Sequence, residues 1–288
     1  MSDAALSQTN LQDGAMGEAR ALLALAGASA PENDVAPTLM APFTALKYVA
    51  HEGWAWANYK SVILGFAEAA ANGPTPRGPV RILEIGGGRD PLFTPQEAAA
   101  AGLELTVNDI DACELAMAPP EFARALFDIA GDLGPDARRG HYDLVVSQMV
   151  FEHVRDVPKA WANVHELLAP GGVALAFFPT LYAPPYVLNQ IMPEAMSAAL
   201  LRVFFPQRND KVQPKFPAFY DHCRGSQERL APMFAKAGYA ESLIVPFWTH
   251  GYFRHIPVLR EIDAAVQNLA RRRNWRWLTT YAFAVARK

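Results

Sequence analysis

Cysteine is scarce in this sequence: only Cys113 and Cys223 occur in 288 residues, with no CxxC spacing. That excludes a disulfide-built domain, predicts no metal site, and implies a reduced compartment. A run of about 18 uncharged apolar residues is also missing, so no membrane-spanning helix is expected. The opening MSDAALSQTNLQDG has neither a basic n-region nor an apolar h-region, so no secretory signal and a cytoplasmic location are expected. An excess of one charge is lacking too. The 26 Lys and Arg against 29 Asp and Glu leave a net charge of −3, which gives no basis for binding nucleic acid. What the chain has is 51% hydrophobic residues and 19% charged ones, a composition that buries a sizeable core.

Residues 1–14 are polar and aperiodic and read as a disordered tail. Residues 16–27 read as a short helix and 28–38 as a linker. Trp56, Tyr59, Ile63, Phe66 and Ala70 recur at helical spacing, which predicts a helix over 54–71 stopped by Asn72-Gly73-Pro74. Residues 15–78 therefore form a helical N-terminal extension. Its aromatics either pack into the core or cover the mouth of a ligand site. From residue 79 to 178, strands are expected at 80–85, 103–108, 124–129, 142–147 and 173–179, with helices between them. Thr94-Pro95-Gln96-Glu97 is a capping box with proline at the first helical position. Such alternation predicts a parallel sheet with helices on both faces, whose ligands bind beyond the carboxyl ends of the strands. Residues 180–225 break the pattern with prolines and aromatics and read as an inserted lid. A helix over 226–238, a strand over 240–248, a helix over 257–272 and a strand over 277–286 complete the chain.

The stretch Arg81–Phe93, RILEIGGGRDPLF, runs a buried strand into three glycines. Three templates compete for it. A phosphate loop needs GxxxxGK[ST], and Arg89-Asp90-Pro91 does not supply it. A dinucleotide fingerprint needs a third glycine where Pro91 stands, and Asp90 would sit badly beside a pyrophosphate. The third template binds a cationic ligand, for which the flanking Glu84 and Asp90 are better suited.

On Glu84-Ile85-Gly86-Gly87-Gly88-Arg89-Asp90, the sequence resembles the first motif of the class I S-adenosylmethionine-dependent methyltransferases, type 11-like, with Asp90 replacing the last glycine. Further stretches follow in family order. Val107-Asn108-Asp109 ends the second strand. Phe127-Asp128-Ile129 resembles the segment after the third strand. Tyr142–Val154, YDLVVSQMVFEHV, resembles the fourth strand and the turn after it. Leu167-Leu168-Ala169-Pro170-Gly171-Gly172 resembles the turn before the fifth, with alanine in place of the usual basic residue. The resemblance covers about 79–180. It implies a Rossmann-like α/β fold, with a seven-stranded mostly parallel sheet, helices on both faces and one antiparallel strand near the edge. It implies S-adenosyl-L-methionine as cofactor. That cofactor would be held by Glu84, Gly86, Gly87, Gly88, Asp109, Ile110, Asp128, Ile129, Ser147 and Gln148. Asp109 would take the ribose hydroxyls and Asp128 the adenine amine, with Asp132 a rival for the second role. Asp111 reads as a helix cap.

Methyl transfer from a sulfonium is a direct displacement that needs alignment and exclusion of water more than a protein nucleophile. A hydroxyl acceptor also gains from a nearby base. His153, with Glu152 beside it, is the candidate, and an orienting role for the pair is the competing reading. Tyr182, Tyr186, Tyr220 and His222 are candidates for the acceptor pocket. The expected acceptor is a small molecule, with an oxygen of a sugar, lipid-linked glycan or natural product as the first choice. Between Arg271 and Lys288 lie six basic residues and no acidic ones, with Trp275 and Trp277 interleaved. This reads either as a solvated helix end or as a contact with an anionic substrate or a membrane face. Two rival functions stand: a nicotinamide-dependent oxidoreductase, and a non-catalytic partner subunit that binds the same cofactor.

Overall fold

A computed structural model of the chain describes residues 37–73, 78–181, 217–251, 253 and 257–288. The expected helix over 16–27 and the pocket candidates Tyr182 and Tyr186 lie outside these residues.

Two helices precede the sheet: α1 (Pro37–Ala45) and α2 (Glu52–Ala71). The first overlaps the expected linker over 28–38 and was not itself expected as a helix. It is helical because Leu39 and Phe43 bury one face completely, which outweighs the propensity cost of Pro42. Gly65 of α2 makes room for it, since a Cβ there would lie 3.0 Å from Pro42 Cβ. Helix α2 starts at His51, whose Nδ1 accepts from Gly53 N at 3.0 Å. Its buried face is Ala55, Tyr59, Val62, Ile63 and Phe66. Trp54 is buried as well, whereas Trp56 is 42% exposed and Ala70 is exposed, so the apolar stripe is rotated from the expected one.

Then come β1 (Val80–Ile85), α3 (Pro95–Ala100), β2 (Leu103–Asp109), α4 (Ala112–Ala116), β3 (Ala123–Leu126), β4 (Tyr142–Gln148), α5 (Val157–Leu167) and β5 (Leu168–Pro179). The chain closes with α6 (Gln227–Ala237), β6 (Glu241–Phe247), α7 (Pro257–Arg272) and β7 (Tyr281–Arg287). The strand order is β3-β2-β1-β4-β5-β7-β6. Strands β1 to β5 pair in parallel, and β7 runs antiparallel to both β5 and β6. The sheet is thus the expected seven-stranded, mostly parallel α/β sheet, and its order reverses between β1 and β4, where ligands of such sheets bind.

Strand alternation sorts the core into two layers. Phe177 on β5 and its register partner Phe283 on β7 face α2, with ring centroids 4.8 Å apart and Tyr59 5.2 Å from Phe283. Their neighbour Ala176 faces the other side, where Trp161 of α5 stacks on Phe151 at 4.8 Å and meets Phe234 of α6 edge-on at 4.7 Å. Losing one such buried ring costs about 3–5 kcal/mol. Three boundaries differ from expectation. Strand β5 begins at Leu168, because a register shift between Tyr142 and Leu144 absorbs the Pro-Gly-Gly segment. Strand β3 stops at Leu126, leaving Phe127–Ile129 as loop. Residues 276–278 are a 3-10 turn, so β7 starts at Tyr281.

Candidate functional site

The turn after β1 explains its own glycines. Gly86 has φ +71° and Gly88 φ +45°, both in the left-handed region that favours glycine. A Cβ on Gly86 would lie 2.5 Å from Val150 Cγ2 in the turn after β4. One on Gly87 would lie 2.9 Å from Val107 Cγ1 and 3.0 Å from Glu84 Cδ. One on Gly88 would lie 2.8 Å from Asp109 Oδ2. The turn is thus packed between the ends of β2 and β4 by side chains of the protein itself. The same packing sets bare backbone against the Asp109 carboxylate.

Glu84 departs from a carboxylate that simply faces a ligand. It is buried, and both its oxygens lie 3.0 Å from Leu92 N. It therefore holds the far arm of the glycine loop. Burial raises its pKa to about 8, against the opposing pull of the Leu92 N–H and of Lys60. Asp109 is half-buried, and burial raises its pKa as well. Its Oδ1 accepts from Asp111 N at 2.9 Å, and its Oδ2 is the oxygen turned toward Gly88. Asp111 caps α4 by accepting from Cys113 N, as expected. Ile110 is 70% exposed beside Asp109, an apolar surface at the strand end. Asp128 is exposed, and its Oδ1 accepts from Ala130 N at 2.9 Å, while Ile129 is buried. Asp132 is engaged elsewhere, paired with Lys159 at 2.8 Å.

Ser147 does not reach the open edge. Its side chain is buried, its Oγ has no partner among the described residues, and it lies beside a narrow crevice lined by Phe151, Trp161 and Ala176. Gln148, the last residue of β4, is half-buried at the carboxyl edge. Past it, Met149 takes φ +56° and leads into the 3-10 turn Phe151–His153.

That turn carries the acid–base candidates. Glu152 is 3% exposed, its Oε2 has no hydrogen-bond partner among the described residues, and burial raises its pKa to about 8. His153 Nδ1 lies 2.9 Å from Pro217 O, and its Nε2 lies 3.9 Å from Glu152 Oε1. A carbonyl oxygen only accepts, so Nδ1 carries the proton and Nε2 is the basic nitrogen when the ring is neutral. The Glu152 carbonyl in turn accepts from Phe219 N at 2.7 Å and Tyr220 N at 3.1 Å. The turn after β4 and the segment from 217 are therefore fastened together. Tyr220, a pocket candidate, is 6% exposed and packs within the main core at φ +52°. His222 is half-buried, with Nδ1 2.8 Å from Asp221 Oδ1.

Three supporting residues were given no site role of their own from the sequence. Tyr59 reaches from α2 to the carbonyls of Ser147 and Leu175, at 2.5 and 3.1 Å, fixing the ends of β4 and β5. Asn108 donates to the Ala125 and Phe127 carbonyls, and Asn163 to those of Ile129 and Gly131, which together shape the loop around Asp128. A buried amide inside a strand or on an apolar helix face was the available signal, since such a group must find partners.

Residues 56–240 match the model of a family described as a methyltransferase domain. No curated protein matches the chain. Solved structures with a similar fold include the CurJ carbon methyltransferase, 18% identical, covering 80% of this chain and 52% of that one at a TM-score of 0.46. Another is phosphoethanolamine N-methyltransferase 2 of Haemonchus contortus with phosphomonomethylethanolamine and S-adenosylhomocysteine, 15% identical, covering 88% and 57% at 0.49. A third is a methyltransferase from Archaeoglobus fulgidus, described as S-adenosylmethionine-dependent, 15% identical, covering 85% and 97% at 0.46. The chain spans between 52% and 60% of the length of the first of these similar structures.

Proposed function

Because the chain belongs to the methyltransferase-domain family, we propose that it transfers a methyl group from S-adenosylmethionine to a small-molecule acceptor at the carboxyl edge between β1 and β4. The observation that carries this reading is the approach of the Gly88 backbone to Asp109 Oδ2, so close that no Cβ fits and bare backbone stands directly beside a carboxylate at the strand ends. The residues fit the cofactor. Asp109 accepts the ribose hydroxyls, the backbone of Gly86, Gly87 and Gly88 admits the amino-acid end, and Ile110, Asp128 and Ile129 border the adenine. When bound, the cofactor supplies a sulfonium-linked, electrophilic methyl.

The chain's part is placement and proton handling. Pro217 O holds the His153 Nδ1 proton, which leaves Nε2 to accept a proton from an acceptor that must lose one. Glu152, buried beside it, anchors the turn through its carbonyl, which accepts from Phe219 N and Tyr220 N. A hydroxyl of a sugar, lipid-linked glycan or natural product is the finer reading. Its support is that such a group gains more from this base than an amine does.

The test is thermal unfolding with S-adenosylmethionine, S-adenosylhomocysteine or NADH, on wild type and Asp109→Ala. A ligand at about 100 times its Kd adds about 2.7 kcal/mol. The expected result is stabilisation of wild type by the two sulfur ligands, and loss of most of it in Asp109→Ala. A shift with NADH alone would assign the glycine turn to a dinucleotide. Cofactor binding without turnover on any acceptor would favour the partner-subunit rival.

A further inference from the structure

A cavity of about 220 Å³ opens at the same carboxyl edge, but on the other half of the sheet. Its walls are the end of β5, the segment leading into α6, and the turn before β7. Three arginines line it, Arg224, Arg229 and Arg276, together with the ring pair Trp275 and Trp277, whose centroids are 6.1 Å apart. No acidic residue is part of the lining among the described residues.

Two of the arginines, Arg229 and Arg276, are incompletely used among the described residues. Arg276 donates through Nε to Asn274 Oδ1 at 3.0 Å and through Nη1 to Ile244 O at 3.2 Å, and its Nη2 has no partner among the described residues. It is half-buried, and burial lowers its pKa against the pull of Tyr48 and Glu228, so a counter-anion would relieve it. Arg229 makes no hydrogen bond or ion pair among the described residues. Arg224 is braced by the Tyr220 and Cys223 carbonyls at 3.1 Å. Glu228, the acid that acts on Arg276, accepts from Ser226 Oγ at 2.6 Å. That serine is the N-cap of α6 and makes no side-chain cap bond, which leaves the first amides of that helix without it as a partner.

We propose that this cavity binds an oxyanionic group, phosphate or carboxylate, of a small-molecule ligand, with Arg229 and Arg276 as charge partners and the Trp275–Trp277 pair as its wall. Guanidinium groups match both anions in geometry and charge. The volume is below the roughly 300–1,000 Å³ of a pocket for a whole ligand, so it suits a head group with the rest of the molecule lying outside. The site stands whether or not the methyl-transfer reading does.

Inorganic phosphate, pyrophosphate and acetate, each against sodium chloride at equal ionic strength, are titrated by calorimetry into the full chain as wild type, Arg229→Gln and Arg276→Gln. Binding beyond the chloride control is expected, weakened at least about tenfold by either substitution. The preferred anion identifies the head group. If Arg276→Gln fails to fold, the exposed Arg229→Gln carries the test. Absence of binding to wild type up to tens of millimolar, or equal binding to all three proteins, overturns the proposal. S-adenosylhomocysteine is titrated into the same proteins. If it binds and the anions do not, only this inference falls. If the anions bind in an arginine-dependent way and it does not, the anion site stands and the methyl-transfer reading falls.

Discussion

The two halves of the sheet's carboxyl edge are built in opposite ways. Around β1 and β2, a tight turn of three glycines is flanked by Glu84, Asp90, Asp109 and Asp111, and its space is filled by the protein's own side chains. Around β5 and β7, three arginines and two tryptophans surround open space. Between them stands the turn that carries Glu152 and His153, fastened to the segment that ends in Arg224. One edge thus presents acidic backbone-rich walls on one side and basic aromatic walls on the other. Ligands of opposite charge would be drawn to neighbouring places along it.

The largest effects should come from a matched pair of glycines, one in each half. Gly86→Ala forces a side chain onto φ +71° and into Val150. Gly225→Ala drives a Cβ into the fully buried Thr279, whose hydroxyl is hydrogen-bonded to Thr180 Oγ1 and Arg276 O. Each should lose about 2–4 kcal/mol in denaturant unfolding. Only the first should abolish S-adenosylhomocysteine binding in the folded fraction, and only the second should weaken phosphate binding. If either substitution disturbs both ligands equally, the halves are not separate sites.

The next effect concerns the join. Glu152 has an ordinary carboxyl pKa of 4.5 when unfolded and about 8 when folded. The folded state therefore holds the proton more tightly, and the associated stability is present in full below about pH 4.5 and lost as pH rises through about 8. Glu84 has the same sign and window. Stability should fall between about pH 5 and pH 8 by a few kcal/mol, with a slope of at most about 1.4 kcal/mol per pH unit for each group. Glu152→Gln should flatten roughly half of that fall in thermal melts taken across the range. An unchanged pH profile would mean that Glu152 is not the titrating group.

Much of this arrangement was legible in the sequence, for physical reasons that also explain what was not. Strand and helix periods gave the parallel sheet, because a buried strand is a short apolar run closed by glycine or a capping residue, as at Ile85-Gly86 and Asp109-Ile110-Asp111. Glu84, the glycines and Asp109 were found as a constellation because they stand at consecutive strand ends. Burial was not legible. Tyr220 reads as a pocket aromatic, yet it packs in the core, and Ser147 is buried rather than open at the edge. Helix α1 was not read from the sequence; the burial of Leu39 and Phe43 and the facing Gly65 account for it. The arginine cavity was invisible as a unit. Arg224, Arg229 and Arg276 come from two distant stretches, and the basic run over 271–288 gave no sign that Arg276 alone of its neighbours turns inward to the Ile244 carbonyl.

The smallest effect tests how isolated the acidic half is. Lys60 on α2 is the cation that opposes the raised pKa of Glu84, and its Nζ pairs with Glu97 at 3.0 Å where both side chains are about half exposed. Such exposed pairs are worth about 0.2–1 kcal/mol, so Lys60→Met should barely move the unfolding midpoint. It should instead move Glu84. With its nearby positive charge gone, the buried carboxyl should titrate at a higher pH than in wild type, read by carbon-13 NMR of the glutamate carboxyls with Glu152→Gln as the assignment control. A larger loss of stability with no movement of Glu84 would place the value of Lys60 in its bond to Glu97. The acidic half would then be held by burial and the Leu92 N–H alone.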